Sequence, residues 1–594
     1  MTIVETIRTK CRDCYKCLRA CPVKAIKVER GPDPQEFHAA TFEEFCIHCG
    51  TCLRECPQGA KRARSDLEAA KRLLKSGDRV AASLAPSFAG VFGDEPTRVV
   101  TALRKLGFAV VQETSLGAEM VAEVHKDMLK DRSGPVLASA CPAVVSLVEK
   151  HFPEAIPLLA PVVSPAVAHG RYLKANYGGI PVVFIGPCIA KKDEIADPEV
   201  AGAVDVALTY EELRVWLQEE GISVDECEPG RFDGPSPRKA RAFAVDGGLL
   251  HATCDGLGPL SGQAMSVSGM NACIDVIRHF TSSIGSKDNT SLRLVELLAC
   301  PGGCISGPHT PATGDIYERR AKVVSYTERA GIEAADEAVD YGQLLPREAL
   351  LRSFRDKRLV LRQPSEAELR AILEKSGKFA REDELNCGAC GYRSCREKAV
   401  AVYNGMADPE MCIPYMRQKA ESMANLVVSA TPQGIVVTSL DGTIVDVNQA
   451  AERILGKRKK ECVGAKVADF MDPEFFLEAA RTMGTASGEL VIGDSIVAET
   501  VLYVPDQKLL VGFLSDVTEE RREAGRRRAA AEEAIERARQ VIERQMSVAQ
   551  KIAGLLGETT AETKISLTAL MKVVREEKPS SYGPESGDRG SSRE

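Results

Sequence analysis

The segment Cys300-Pro301-Gly302-Gly303-Cys304 joins two potential thiolates through a proline and two glycines. Those residues force a tight turn and let backbone N–H groups approach sulfur, which is what a wrapper for an iron–sulfur cluster needs. Isolated cysteines stand in comparable settings upstream, in Ala140-Cys141-Pro142 and Pro187-Cys188-Ile189. Eight more fall within the first 56 residues as Cys11-x2-Cys14-x2-Cys17-x3-Cys21-Pro22 and Cys46-x2-Cys49-x2-Cys52-x3-Cys56-Pro57. Another four form Cys387-x2-Cys390-x4-Cys395-x16-Cys412. Disulfides would not group the 20 cysteines of this chain in such short runs, and metal clusters would.

Each of the first two runs has the spacing of bacterial two-cluster ferredoxins, in which three cysteines hold one 4Fe-4S cluster and the fourth reaches across to the other. The expected sets are Cys11, Cys14, Cys17 and Cys56 for one cluster, and Cys46, Cys49, Cys52 and Cys21 for its neighbour. Structural zinc is the competing use of four thiolates, and the doubled run with its trailing prolines weighs against it. One-electron transfer is the chemistry of such a pair, so residues 1–66 are read as a module that delivers or removes electrons.

Length and charge bound the rest. A chain of 594 residues exceeds a single core and should divide into several domains. Its 44% hydrophobic and 27% charged residues are ordinary for globular protein, and a net charge of -7 argues against nucleic acid as the main partner. The N-terminus alternates charged and apolar residues up to Cys11, and the longest apolar stretch, 155–170, is broken by Pro157, Pro161 and Pro165. No membrane association and a cytoplasmic location are therefore expected. So many clusters would also suit an anaerobic or strongly reducing cell.

A basic, helix-forming stretch, Lys61–Lys75, should link to the next domain. Residues 79–365 then alternate short apolar runs (Val80–Ser83, Phe108–Val111, Pro135–Ala138, Pro181–Ile185) with amphipathic segments such as Pro142–Phe152, the α/β pattern. Strand ends in such sheets lead into loops that carry sites. Three of these loops hold cysteines: 138–142, Gly186-Pro187-Cys188-Ile189-Ala190-Lys191-Lys192-Asp193-Glu194, and 300–304. In this order, behind a two-cluster ferredoxin, they resemble the three signatures of the FeFe-hydrogenase catalytic domain. The resemblance implies an H-cluster, a 4Fe-4S cluster joined to a diiron subsite with CO and CN ligands. By it, Cys141, Cys188, Cys300 and Cys304 hold the 4Fe-4S part, and Cys304 bridges to the diiron unit. Lys191 matches the lysine that hydrogen-bonds a cyanide, Pro86 and Ser87 match a loop whose backbone touches the same unit, and Gly247 and Gly248 match a glycine pair lining the pocket. A cationic donor beside an anionic ligand in a dry pocket is what a diiron unit needs; the competing reading of Lys191 is a solvated surface lysine.

The departures from that family matter equally. Catalytic members carry a second, proton-passing cysteine before the first ligand, and here that position is Ala140. A serine of the family's proton path aligns with Ala160, with Ser164 close by; Gly186 and Leu298 replace methionines, and the Gly-rich tail becomes Gly307-Pro308-His309. His309 is of a residue type that can carry protons and is the alternative carrier, although a plain loop histidine is the favoured reading. Ligands kept and relay lost is the mark of the sensory branch of the family. Cys227, Cys254 and Cys273 fit none of the spacings and are read as buried small hydrophobes.

Residues 364–386 turn charged and helix-forming, a linker or connecting helix. The Cys387, Cys390, Cys395, Cys412 run beyond them resembles the small 4Fe-4S domain of several redox enzymes, with zinc as the competitor. Its place in the sequence, between the hydrogenase-like domain and residues 424–520, suggests an electron relay outward, and residues 366–420 form this domain. Over 424–520, two strands meeting at Asp441-Gly442 and a helix capped by Asn448 resemble a PAS sensor domain; Cys462 is read there as a packing or surface residue. Residues 521–577 form a helical, coiled-coil-like segment with apolar positions Val541, Ile542, Met546, Ile552, Leu555 and Leu556, interrupted by Gly554 and Gly557, and 578–594 a disordered tail.

The expected fold class is thus multidomain α/β and α+β. The expected function is sensing of hydrogen or redox state at the H-cluster, relayed through three further 4Fe-4S clusters to the PAS domain and helix. The alternatives are a slow ferredoxin-dependent hydrogenase and a redox scaffold lacking the diiron unit. Expected partners are H2, a ferredoxin-like carrier, hydrogenase maturation proteins and a signalling kinase or phosphatase, with homodimerisation through PAS and helix.

Overall fold

The computed structural model describes residues 2–30, 37–131, 134–253, 262–282, 291–311, 314–333, 339–553 and 560–576. Cys254, Gly554, Leu555, Leu556, Gly557 and the tail 578–594 lie outside these. The chain divides into two compact units, Met1–Met416 and Arg417–Glu594.

In the first unit the two N-terminal cysteine runs fold alike. Each contains a short helix, Lys16–Ala20 or Thr51–Glu55. Asp13 and His48, Tyr15 and Gly50, and Lys24 and Gly59 take left-handed backbone at matching places of the two runs. Side chains rarely adopt that conformation, and its recurrence at the same places shows that the two runs share one backbone path. Lys61–Ala63 is a strand, not part of a linking helix, because it pairs antiparallel with Val4–Thr6 and closes the module. The helix itself starts later, at Leu67–Lys75, and buries Leu67 and Ala70.

The α/β portion contains two parallel sheets. In one, strands run in the order Val110–Glu113, Ala81–Leu84, Val182–Gly186, Val206–Thr209; in the other, Ala264–Ser268, Leu294–Leu298, Val136–Leu137. The four strands of the larger sheet and Leu294–Leu298 of the smaller are buried along their length, as parallel strands covered on both faces must be, whereas the edge strand Ala264–Ser268 is only part-buried beyond Ala264. Helices Arg98–Lys105 and Tyr210–Glu219 cover one face of the larger sheet through Val99, Leu103, Leu213 and Trp216, and Ser115–Asp131 and Pro165–Asn176 supply Leu116, Met120, Val167 and Leu173 to the other core. The first helix of this kind after a cysteine, Pro142–His151, starts with proline at its first turn, where the missing N–H costs nothing.

The segment read as a linker, 364–386, proves to be part of the third cysteine module. Helix Glu366–Glu374 opens with a Ser365/Glu368 capping box and packs Leu369 and Leu373 against Ala399 of helix Cys395–Tyr403. The connection lies earlier: Lys357 pairs with Glu149 and Asp197, both at 2.7 Å, as the chain leaves the α/β portion.

The second unit is built on a five-stranded antiparallel sheet ordered Ile444–Val447, Gly434–Ser439, Leu509–Asp516, Ser495–Val504, Thr485–Ile492. Gly442 turns the first hairpin at φ 79°, and Asn448 accepts a hydrogen bond from Ala451 N at the start of helix Gln449–Leu455. Cys462 is fully buried in this core. Helices Thr518–Ala553 and Thr560–Glu576 come after the sheet. Among the described residues no helix is long and apolar enough to cross a membrane.

Candidate metal centres

The carboxyl ends of both parallel sheets lead into one buried cavity of about 100 Å³. Ala85, Pro86 and Ser87 reach it after strand Ala81–Leu84, and Pro187, Cys188 and Lys191 after strand Val182–Gly186. From the smaller sheet come Ala140 and Cys141 after Val136–Leu137, and Cys300, Gly303 and Cys304 after Leu294–Leu298. This is where ligands bind in open α/β sheets, since strand ends and helix starts leave backbone and side chains free to face a common space. Cys141, Cys188, Cys300 and Cys304, from three separate loops, thus line one cavity, with Cys49 of the N-terminal module beside them.

Their chemistry fits a metal cluster. Burial pushes the Cys188 thiol up to about 11, and Cys300 and Cys304 are raised by burial and then by the neighbouring thiols, with Lys191 pulling Cys188 and Cys304 the other way. Crowded, buried sulfurs such as Cys188, Cys300 and Cys304 cannot all ionise in an apolar cavity unless positive charge stands among them, which bound iron would provide.

Lys191 is buried, not solvated. Its Nζ donates to Glu194 Oε2 at 2.6 Å and to Ser164 Oγ at 2.7 Å, and Ser164 donates in turn to Glu194 Oε2 at 2.9 Å. Ser87 lines the cavity too, but its hydroxyl is engaged by Tyr210 Oη at 2.6 Å, so this wall offers backbone. Gly247 and Gly248 are not among the lining residues. They stand behind the wall, where Gly247 N and Leu249 N donate to the two carboxylate oxygens of Glu296 at 2.6 and 2.9 Å. Ser266 Oγ adds a third donor, 2.6 Å from Glu296 Oε2. Gly248 is needed for close approach, since a Cβ there would lie 1.9 Å from Ala242 O.

Glu296 itself lines the cavity, and burial pushes its carboxyl above the usual range despite those donors. The sequence motifs do not include it; the available signal was a charge inside the otherwise apolar strand Leu294–Leu298. Glu194 was missed as well, although it lies one helical turn from Lys191. Ala140 faces the cavity, Ala160 is buried, and His309 is not among the lining residues, its Nδ1 facing Glu211 Oε2 at 3.2 Å. Cys227 and Cys273 are buried, and Cys273 donates to Leu298 O at 3.4 Å.

In the N-terminal module the fourth cysteine of each run faces the opposite run. Cys17, raised by burial, is raised further by Cys11 and Cys56, whereas burial, Cys49 and Cys46 push Cys21 up to about 12, and Cys52 is raised by burial and then by Cys46, Cys21 and Cys49. Backbone N–H groups point at sulfur: Ala25 N to Cys21 at 3.3 Å, Ala60 N to Cys56 at 3.2 Å. Such bonds favour thiolate and tune bound clusters. Asp13 and His38 stand beside Cys11, another grouping the sequence did not disclose. His48 joins this module to the α/β portion, 2.8 Å from Glu43 and 3.2 Å from Asp193. Burial opposes its charge, but Asp193, Cys46 and Glu43 together push it up to about 11. The third module gathers Cys387, Cys390, Cys395 and Cys412 around one small cavity, and Lys378 Nζ donates to Cys412 Sγ at 3.3 Å.

Comparison with known proteins gives four matches along the chain. Residues 10–60 match the 4Fe-4S dicluster domain, 78–308 the C-terminal domain of the iron only hydrogenase large subunit, 383–414 a putative Fe-S cluster family, and 422–494 the PAS fold. The periplasmic Fe hydrogenase large subunit of Nitratidesulfovibrio vulgaris is 29% identical over 53% of this chain and 88% of its own length. The NADP-reducing hydrogenase subunit HndD of Solidesulfovibrio fructosivorans is 27% identical over 56% of this chain, which spans 61% of that relative. A cytosolic Fe-S cluster assembly factor of Xenopus tropicalis is 24% identical over 38% of this chain and 59% of its own. Among solved structures, an FeFe-hydrogenase from Chlamydomonas reinhardtii aligns over 50% of this chain and 100% of its own at 18% identity and a TM-score of 0.38. With 4Fe-4S domains at both ends of a hydrogenase-type domain, the chain is a hydrogenase-like iron–sulfur protein that carries a PAS fold.

Proposed function

We propose that the protein is a sensor, in which an H-cluster held by Cys141, Cys188, Cys300 and Cys304 responds to hydrogen or to cellular redox state. The response passes through 4Fe-4S clusters to the PAS fold and the C-terminal helices. The observation that carries this reading is Ala140 in the cavity wall beside Cys141. A methyl group there fills space but holds no exchangeable proton, and a positioned acid–base group contributes ~10²–10⁴-fold to a rate. A site that keeps its ligands and lacks that group suits detection better than turnover.

A diiron unit, when bound, would supply reversible hydrogen binding and cleavage. The chain's own residues set its surroundings. Lys191, fixed by Ser164 and Glu194, presents a cation to the cavity; Ala85, Phe184 and Leu298 exclude water; Ser87 leaves backbone groups facing inward. The eight N-terminal cysteines would hold two 4Fe-4S clusters and Cys387, Cys390, Cys395 and Cys412 a third. Maturation proteins would insert the diiron unit, a ferredoxin-like carrier would exchange electrons, and a kinase or phosphatase would read the output in the cytoplasm of an anaerobic cell. Exposed apolar residues Val541, Val548 and Ile552 along helix Thr518–Ala553 support pairing of two chains.

A slow hydrogenase is the second reading, favoured by Glu296, a titratable carboxyl in the same wall. Infrared spectroscopy of the anaerobically matured protein, in the carbonyl and cyanide region with and without hydrogen, separates them. Bands that shift under hydrogen, with turnover far below that of Ala140→Cys, support the sensor. Turnover equal to that variant supports the enzyme, and absence of bands removes the diiron unit.

A further inference from the structure

Sequence order puts the 387–412 module after the hydrogenase-type domain, yet its buried face is shared with the ferredoxin-type module. Tyr392, Ala401, Met406 and Met411 are buried in one core with Cys17, Leu18, Cys21 and Ile26. Gly391, at φ +95°, lies against Arg19, where an added Cβ would stand 3.2 Å from Arg19 Cα and 3.3 Å from its backbone N. Tyr392 is 3% exposed, and its buried hydroxyl has no hydrogen-bond partner among the described residues. Cys390 packs against the same core, so the ring stands between a cysteine of each module.

The other side of the same cysteine set faces the central cavity. His48 and Cys49 line it, and Gly50 is so close to Pro308 that a Cβ would lie 2.4 Å from that ring. Of the eight ferredoxin-type cysteines Cys14 is the exposed one, whereas Cys21, Cys46 and Cys52 are buried.

We infer that the set Cys21, Cys46, Cys49 and Cys52 is a junction, exchanging electrons with the central cavity on one side and, across the Tyr392 contact, with the 387–412 module on the other. The inference rests on the reading that both modules hold 4Fe-4S clusters. One electron leaves a reduced cluster at the junction and reduces an oxidised cluster in the module; no bond forms or breaks, and Tyr392 keeps its proton. The signal path toward the PAS fold thus starts from the ferredoxin-type module, and the Cys14 edge is left for an external carrier. Gly391 sets the spacing by admitting Arg19, and Tyr392 is a positioning residue whose unpaired hydroxyl is free to donate to cluster sulfur.

The test uses the full-length protein, reconstituted anaerobically, with iron and sulfide counted and the clusters followed by electron paramagnetic resonance during reduction by a bacterial two-cluster ferredoxin. Wild type should show magnetic interaction between the module's cluster and the junction. Gly391→Val, and Ala401→Arg away from the cysteine loops, should lose that interaction at unchanged iron content and reduce the module's cluster several-fold more slowly. Tyr392→Phe should keep its iron and shift a cluster midpoint potential, which a merely space-filling ring would not do. A non-interacting wild-type spectrum at full cluster content, or full interaction and rate in Ala401→Arg, overturns the junction. A wild type that binds no iron in the 387–412 module overturns the cofactor reading and the junction with it.

Discussion

Lys191 and Glu194, one helical turn apart after strand Val182–Gly186, form a 2.6 Å ion pair whose side chains are only 9% and 3% exposed. Arg352 approaches the other oxygen of Glu194 at 3.8 Å, so one carboxylate balances two cations at the edge of the cavity. Breaking a buried pair from one side costs about 3–5 kcal/mol, because the charge left behind stays desolvated. Glu194→Ala should therefore lower the unfolding midpoint of the α/β portion markedly, and Glu194→Gln, which keeps an acceptor, should lower it less. Trp216, the single tryptophan, is packed in that portion and reports it by fluorescence.

Gly248→Ala should damage the central site selectively. The new methyl would collide with Ala242 O, and Ala242 precedes Phe243 and Ala244, two residues of the cavity wall. Overpacking of this kind costs about 1–3 kcal/mol. At Gly247 a Cβ meets nothing within 4 Å, and Gly247→Ala suffers only from its φ of +82°, about 1–2 kcal/mol. On the proposed reading that an H-cluster is held there, iron analysis with infrared spectroscopy should show Gly248→Ala losing it while the ferredoxin-type signals persist; equal retention in both variants would contradict the close-approach argument.

His169 gives the α/β portion an acid limit. Its Nδ1 lies 2.7 Å from Ser83 Oγ and its Nε2 3.0 Å from Gln112 Oε1, and complete burial holds the imidazole down to about 3. Below its ordinary value of 6.5 the unfolded chain takes up a proton that the fold refuses. Stability should then fall by about 1.4 kcal/mol per pH unit as pH drops from 6.5 toward 3. His169→Asn should be less stable at neutral pH but lose less between pH 7 and pH 5, as followed by Trp216 fluorescence during denaturation. His125, also held down by burial, leaves a residual slope of the same sign.

The PAS core carries the opposite dependence. Glu499 is 1% exposed on the inner face of strand Ser495–Val504, neither carboxylate oxygen has a hydrogen-bond partner among the described residues, and burial with help from Asp472 pushes it up to about 8. Between the ordinary 4.5 and 8 the fold keeps a proton that the unfolded chain releases, so stability should fall with rising pH by about 1.4 kcal/mol per unit. Glu499→Gln should remove that slope and stabilise the domain at pH 8. Hydrogen exchange of the strand's amides in variant and wild type, compared at pH 6 and pH 8, checks this; an unchanged difference at the two pH values would rule it out.

By itself the sequence determined the cysteine groups and the α/β alternation. Thiolate spacing of two or three residues is local geometry, and apolar runs such as Pro181–Ile185 declare buried parallel strands wherever they end up. The helix Pro142–His151, the Asp441-Gly442 hairpin and the Asn448 cap were legible for the same reason, since each depends on neighbours within a few residues. Only the tertiary structure decided how distant segments share space. The Glu296 carboxylate is held by backbone from Gly247 and Leu249, Gly391 finds Arg19 across the whole hydrogenase-type domain, and Glu499 finds no hydrogen-bond partner among the described residues beneath its sheet. No local pattern encodes these, because desolvation and close packing act between surfaces that meet only when the chain is folded.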